Sequence, residues 1–183
     1  TVIAENLFWN VPARKKFLKA PTTELRLLRE ALVRAAISAP GTAFTLETDG
    51  NRTLSLPAAR DRGERLEQVL GRETVTHLFH ETLEDIKVSV TAYLSGPDGA
   101  RGNRSIQYLY VNGRPVEYRY LGFILSRAYE SYLPKGKYPV AVIFVDIPPE
   151  LVDVNIHPAK REVKFFDGKY IDSLIFSLAG KVL

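Results

Sequence analysis

Residues 106–145 read IQYLYVNGRPVEYRYLGFILSRAYESYLPKGKYPVAVIFV, and the order of patterns in this stretch decides the fold class. Ile106, Tyr108 and Tyr110 alternate into Asn112 and Gly113, a pair whose tolerance of positive φ makes it a strong hairpin signal. Tyr118, Leu121, Leu125, Ala128 and Tyr132 then recur at helical spacing until Pro134 and Gly136 close the run. Val140 to Val145 is continuously apolar, as expected of a central strand buried on both faces. A hairpin, a helix and a core strand in that order are not a steady βα alternation, so the class is α+β.

Outward from this core, other elements follow. Thr1 to Leu7 reads as a strand end feeding a bend at Asn10, Val11 and Pro12, and Ala13 to Lys19 as a basic helical stretch. Pro21 with Thr22 or Thr23 offers a cap for a helix carrying Leu25, Leu28, Leu32, Ala35 and Ala36. Pro40 and Gly41 stop it. Phe44 and Leu46, then Leu54 and Leu56, alternate on either side of Asp49–Gly50, which is a hairpin. A short helix over Arg62 to Leu70 ends at Gly71. Ile86, Val88, Val90, Ala92 and Leu94 alternate along one strand with a buried face. The loop Ser95 to Arg104 has few apolar groups and reads as mobile. Beyond Asp167 a last helix places Ile171, Leu174, Ile175, Leu178 and Val182 on one side. The expectation is a two-layer mixed sheet with helices on one face.

Composition sets limits on chemistry. The 183 residues contain no cysteine, which excludes a disulfide framework, a thiolate zinc site and a cysteine nucleophile. Methionine is absent too, so Thr1 is expected to lie inside a longer gene product. The longest apolar run falls well short of the roughly 20 residues that cross a bilayer, and no signal pattern opens the chain. A cytoplasmic location is expected. The formal charge of +4 and pI near 9.3 favour acidic partners. Arg101, Arg104, Arg114, Arg119 and Arg127 fall together in sequence, interleaved with Tyr108, Tyr110, Tyr118 and Tyr120. An arginine fork donates two parallel hydrogen bonds to phosphate oxygens, so such a surface suits a DNA backbone; the plain alternative is a solvated basic face.

One further segment is too polar and irregular for a core element. In DVNIHPAKREV, Asp153 to Val163, polar Asp153, Asn155 and His157 alternate with Val154 and Ile156 before Pro158 presents Lys160 and Arg161 ahead of a new strand. A lysine ammonium is a compact point charge suited to a phosphoryl group. Arg161 reads as a surface partner and His157 as a loop hydrogen-bonder. The spacing of His77 and His80 suits a helical metal pair, but no third ligand accompanies it, so no metal site is assigned.

This segment resembles the signature of the MutL family of DNA mismatch-repair proteins, and two more blocks do so in order. Leu7 to Arg14 (LFWNVPAR) is similar to the family's LFYNTPAR, with Trp9 and Val11 departing from it, and Tyr110 to Val116 (YVNGRPV) is similar to its FVNGRPV. The resemblance is thin between about Asp49 and Ala100. It implies the transducer domain that follows an ATPase domain of the gyrase, heat-shock chaperone and histidine kinase (GHKL) type. That domain has a ribosomal-protein-type fold with a left-handed βαβ crossover, against the usual right-handed rule. Residues 1–20 would then be the end of the ATPase domain and the joint, and residues 21–183 the transducer.

The resemblance further implies that Lys160 reaches the γ-phosphate of ATP held with Mg by the neighbouring domain, as both cofactor contact and catalytic group. No Walker-type phosphate loop is present, so the chain is not expected to be an enzyme alone, nor to bind a cofactor alone, although the full-length protein would be an ATPase. DNA contact falls by resemblance on Arg119, with Arg114 second and Arg104 and Arg101 nearby. Expected partners are DNA with little sequence preference, a mismatch-recognition protein of the MutS type, and a second copy in the full-length protein. No membrane partner is expected. A bacterial source and association with the nucleoid during repair complete the reading. The basic cluster Arg14, Lys15, Lys16 and Lys19 would touch either the ATPase domain or DNA. Two alternatives are an autonomous nucleic-acid-binding domain and the transducer of a topoisomerase or heat-shock chaperone ATPase.

Overall fold

The computed structural model describes residues 3, 5–153 and 162–183. The chain forms α1 (Pro12–Lys15), α2 (Pro21–Ser38), β1 (Phe44–Thr48), β2 (Asn51–Leu56), α3 (Arg62–Leu70), α4 (Arg72–Val75), β3 (Leu78–Glu84) and β4 (Ser89–Ser95). It continues with β5 (Gln107–Val111), β6 (Arg114–Val116), α5 (Leu121–Ala128), β7 (Ala141–Asp146), β8 (Val152–Asp153), β9 (Lys164–Phe165) and α6 (Gly168–Val182). Five strands make one mixed sheet in the order β3-β4-β7-β5-β6. Only β5 and β7 run parallel, joined through β6 and α5.

β7 lies at the centre because its residues are apolar on both faces, and all but Asp146 are buried. On one face Ala141, Ile143 and Val145 join Val90, Ala92, Leu94, Leu109 and Val111 under α5 and α6. On the other, Val142 and Phe144 meet Tyr108 and Tyr110 under Ile37 of α2 and Leu66 of α3. The mixed sheet with its helical layer is as expected, and α2 and α3 add a layer on the second face. Phe144 explains how: its ring stacks on Tyr110 at 4.8 Å and carries the Arg62 guanidinium of α3 at 4.1 Å. Arg65, fully buried, ties α3 to the turn after α2 by donating to the carbonyls of Pro40 at 2.7 Å and Thr42 at 2.5 Å.

Both hairpin turns form as read, with φ of 51° and 76° at Asp49 and Gly50 and of 48° and 75° at Asn112 and Gly113. Asn112 has a second duty. Its amide donates to the carbonyl of Ile147 at 2.8 Å and accepts from the amide of Ile147 at 2.9 Å, holding the end of β7 against the turn.

Three local expectations change. Ile86 is not part of the buried strand face; it sits in the β3–β4 turn with 95% of its surface exposed. The strand beginning at Ser89 pairs instead with β3, which the uneven pattern of Leu78 to Glu84 conceals. α2 begins two residues earlier than a Thr22 cap requires, with Pro21 at its first position and Ala20 before it. The first part of the loop after β4 is packed, with Gly96 and Gly99 buried, while Arg101 to Ser105 are exposed; a Cβ on Gly99 would lie 2.7 Å from the Cβ of His77. Backbone pairing of Arg101 with Tyr138, 2.8 Å in both directions, replaces the missing apolar contacts.

Tyr110, Tyr118 and Tyr129 are raised above the ordinary phenol value of 10.0, chiefly by burial. A phenol harder to ionise when folded stabilises the fold fully below its unfolded pKa, and that stability is lost as pH rises above it. The expected result is a melting temperature that is flat up to about pH 10 and then falls steeply. Tyrosinate absorbance of these rings should grow in with unfolding and not before it. Ionisation of all nine tyrosines in the folded state would contradict this.

Candidate nucleic-acid interface

Between the end of β6 and the base of β9 lies a groove of about 860 Å³. One wall is the segment Val116 to Gly122, the other Glu162 to Phe165 with Gly168 of α6. The walls are joined at their base by a parallel backbone bridge between Glu117 and Glu162. β9 is pinned on its far side by pairing of Lys164 with Asp153 and of Phe165 with Val152.

Tyr118 fixes the first wall. Its hydroxyl donates to Asp172 of α6 at 2.7 Å, and its ring packs edge-on against Phe165 at 5.3 Å and Tyr120 at 5.5 Å. Burial first, and the Asp172 hydrogen bond second, hold this phenol well above its usual range. The backbone that presents Arg119 is therefore braced from beneath.

Four cations line the groove, Arg34, Arg104, Arg119 and Lys164, against the two carboxylates Glu117 and Glu162. Arg119 lies over the Tyr120 ring at 4.5 Å and donates to its hydroxyl. Arg104 lies over Tyr138 at 4.6 Å and donates to Ser126 Oγ at 3.0 Å. It passes so close to Gly122 that a Cβ there would stand 3.0 Å from Nη1. Arg34 is held by Glu30 at 2.9 Å. Among the described residues, no ion pair engages Arg104, Arg119 or Lys164, which leaves those charges available to an anion.

The structure brings Arg119 and Arg104, 15 positions apart in sequence, to one groove. Arg114 stands outside it, exposed on β6 beside the hairpin turn. Arg101 is also outside, donating to Thr74 Oγ1 at 2.8 Å. Lys160, Arg161 and His157 lie outside the described residues, but the residues flanking that segment are placed: Asp153 pairs in β8 and Glu162 stands in the groove wall. His80 stacks on Tyr93 at 4.6 Å, and among the described residues no cluster of three His, Cys, Asp or Glu side chains is placed to hold a metal. Sequence reasoning missed Arg34 and Lys164, whose spacing from Arg119 carries no periodic signal. No helix among the described residues is long and apolar enough to cross a membrane.

Residues 66–183 match the family described as DNA mismatch repair protein, C-terminal domain. The chain belongs to the MutL family of DNA mismatch-repair proteins. It is 38% identical over 181 residues to the DNA mismatch repair protein MutL of Anaeromyxobacter dehalogenans strain 2CP-C, covering 98% of this chain and 30% of that protein. With the MutL of Sphingopyxis alaskensis it shares 39% identity over 174 residues, 95% of this chain and 29% of the relative. The chain thus spans about a third of the length of these family members. Among solved structures it is similar to the Aquifex aeolicus MutL ATPase domain complexed with ADP, at TM-score 0.65 and 26% identity, over 96% of this chain and 55% of that one. It also shares its fold with the N-terminal domain of a DNA repair protein, at TM-score 0.77 and 21% identity, over 94% of this chain and 57% of that one.

Proposed function

We propose that this chain is the transducer part of a MutL protein, coupling an adjacent ATPase domain to DNA and to a MutS-type partner during mismatch repair. In this reading residues 21–183 are the transducer, with the left-handed β5–α5–β7 crossover that the family resemblance implies, and residues 1–20 are the joint. The chain is not an enzyme by itself. ATP and Mg are held by the neighbouring domain, as the ADP bound to the Aquifex aeolicus relative suggests, and Lys160 supplies a contact to the γ-phosphate. The longer protein would be a cytoplasmic, dimeric ATPase, associated with the nucleoid while repairing.

The observation that carries the DNA reading is the groove itself, in which Arg104, Arg119 and Lys164 have no ion-pair partner among the described residues. Arg119 and Arg104 contact phosphates there, and Arg114 and Arg101 are outlying charges. Its link to the nucleotide is equally physical. The Glu117–Glu162 bridge sets a residue close after Lys160 in the groove wall, which supports a reading in which nucleotide at Lys160 and DNA in the groove affect each other.

Fluorescence-anisotropy titration over a salt series tests this. Each neutralised phosphate contributes a slope of about −0.9 in log K against log salt on duplex DNA. Arg119→Ala should weaken binding and reduce the slope by about one such step. An unchanged slope would mean that Arg119 meets no phosphate.

A further inference from the structure

The sheet has a second edge, away from the groove. β6 borders the groove, while β3 closes the sheet at its other end. β3 pairs with β4 without a bulge, from Leu78 with Ser95 to Glu84 with Ser89. Just beyond the two ends, the Asp85 amide donates to the Val88 carbonyl at 2.9 Å and the Gly96 amide to the His77 carbonyl at 3.2 Å. Bonded and non-bonded pairs alternate along an antiparallel ladder. Phe79, Glu81 and Leu83 therefore direct their backbone groups at β4, and Leu78, His80, Thr82 and Glu84 turn theirs outward. Among the described residues no backbone hydrogen bond outside the ladder reaches these four.

Open edges are normally blunted by a lysine, a proline or a bulge. β3 carries none of these. Its charges are Glu81 and Glu84, followed by Asp85, and among the described residues neither glutamate has an ion-pair partner. On the side of the sheet that α6 covers, Glu81 stands between Phe79, which is 52% exposed, and Leu83 at the margin of the core. A second copy of the chain fits this edge poorly. Antiparallel self-pairing centred on the strand sets Glu81 opposite its own copy, in-register parallel pairing does so for every glutamate, and like charges directly opposite are destabilising. We propose that β3 is a docking edge for an extended segment of another protein, added as a further strand with cations opposite Glu81 and Glu84 and apolar side chains opposite Phe79 and Leu83. Backbone hydrogen bonds supply the affinity and the two carboxylates select the charge. The proposal stands apart from the DNA reading of the groove.

The test uses a capped peptide, Lys-Val-Thr-Lys-Thr-Val-Thr. In an antiparallel register its lysines fall opposite Glu84 and Glu81 and its valines opposite Leu83 and Phe79. Amide hydrogen exchange of the chain is followed by NMR. With the peptide at about ten times its dissociation constant, the outward amides of His80, Thr82 and Glu84 should exchange about tenfold more slowly. Those of Phe79, Glu81 and Leu83, already bonded to β4, should change little. N-methylation of the first two threonines of the peptide removes the donors that face Thr82 and His80, and should abolish the protection. Thr82→Pro removes an outward N–H that β4 does not use, and should do the same. Glu81→Lys with Glu84→Lys leaves the backbone intact. This double variant should bind the peptide about tenfold more weakly, and should regain the affinity when glutamate replaces both lysines of the peptide. No slowing of the outward amides, or slowing that survives N-methylation or Thr82→Pro, would overturn the docking edge. So would a charge-swapped pair that binds no better than the mismatched one. A dimer of the unmodified chain in sedimentation that Thr82→Pro dissociates would also overturn it, since the edge would then serve a second copy.

Discussion

In the longer protein, Lys160→Ala is expected to lower ATP hydrolysis by about two to three orders of magnitude while nucleotide affinity changes only a few-fold. The difference follows from where charge develops. As the γ-phosphoryl group transfers, negative charge spreads over its oxygens, and an ammonium placed there stabilises the transition state more than bound ATP. The alanine variant loses that extra stabilisation but keeps the contacts to the rest of the nucleotide. Single-turnover hydrolysis set against equilibrium nucleotide binding separates the two quantities. Equal losses in both would make Lys160 an ordinary binding cation. The described residues on either side of its segment are paired, Asp153 with Lys164 across β8 and β9 and Glu162 with Glu117.

Much of the fold was legible because local chemistry and tertiary structure agree along most of the chain. The apolar run at Val140 became the central strand because nothing polar interrupts either face. Asn112–Gly113 and Asp49–Gly50 demanded positive φ, and both turns adopt it. The helix over Arg62 to Leu70 ends at Gly71, whose φ of 83° few other residues would accept. β3 was not legible. It is an edge strand with polar residues toward solvent, so its pattern is uneven, and its partner β4 was credited with Ile86 from the turn between them. The packing of the loop after β4 was hidden for another reason, since backbone pairing and a glycine that fits against His77 leave no trace in hydropathy.

The site was legible in parts. Arg119 and Arg104 could be named from clustering and resemblance, but Arg34 and Lys164 reach the same groove from elements far apart in sequence. Only the topology that lays α2 against β6 and seats β9 beside the segment after it brings them together. Tyr118 illustrates the same point. Its bond to Asp172 spans 54 positions and braces the groove from α6.

Charge reversal at Arg119 should have the largest effect on DNA. Arg119→Glu removes a charge-assisted donor and sets a third carboxylate beside Glu117 and Glu162 in the groove, where each phosphate would meet repulsion in place of a partner. Arg119 is exposed, and its hydrogen bond and its ring contact are both with the neighbouring Tyr120, so the fold should stand, with unchanged circular dichroism and melting temperature. The deciding measurement is the affinity of the unmodified chain and of Arg119→Glu for one DNA at low salt, read by anisotropy. The expected result is a loss of about two orders of magnitude in the variant, with the folded state intact. Undiminished binding by a folded Arg119→Glu chain would contradict the assignment of the groove to DNA.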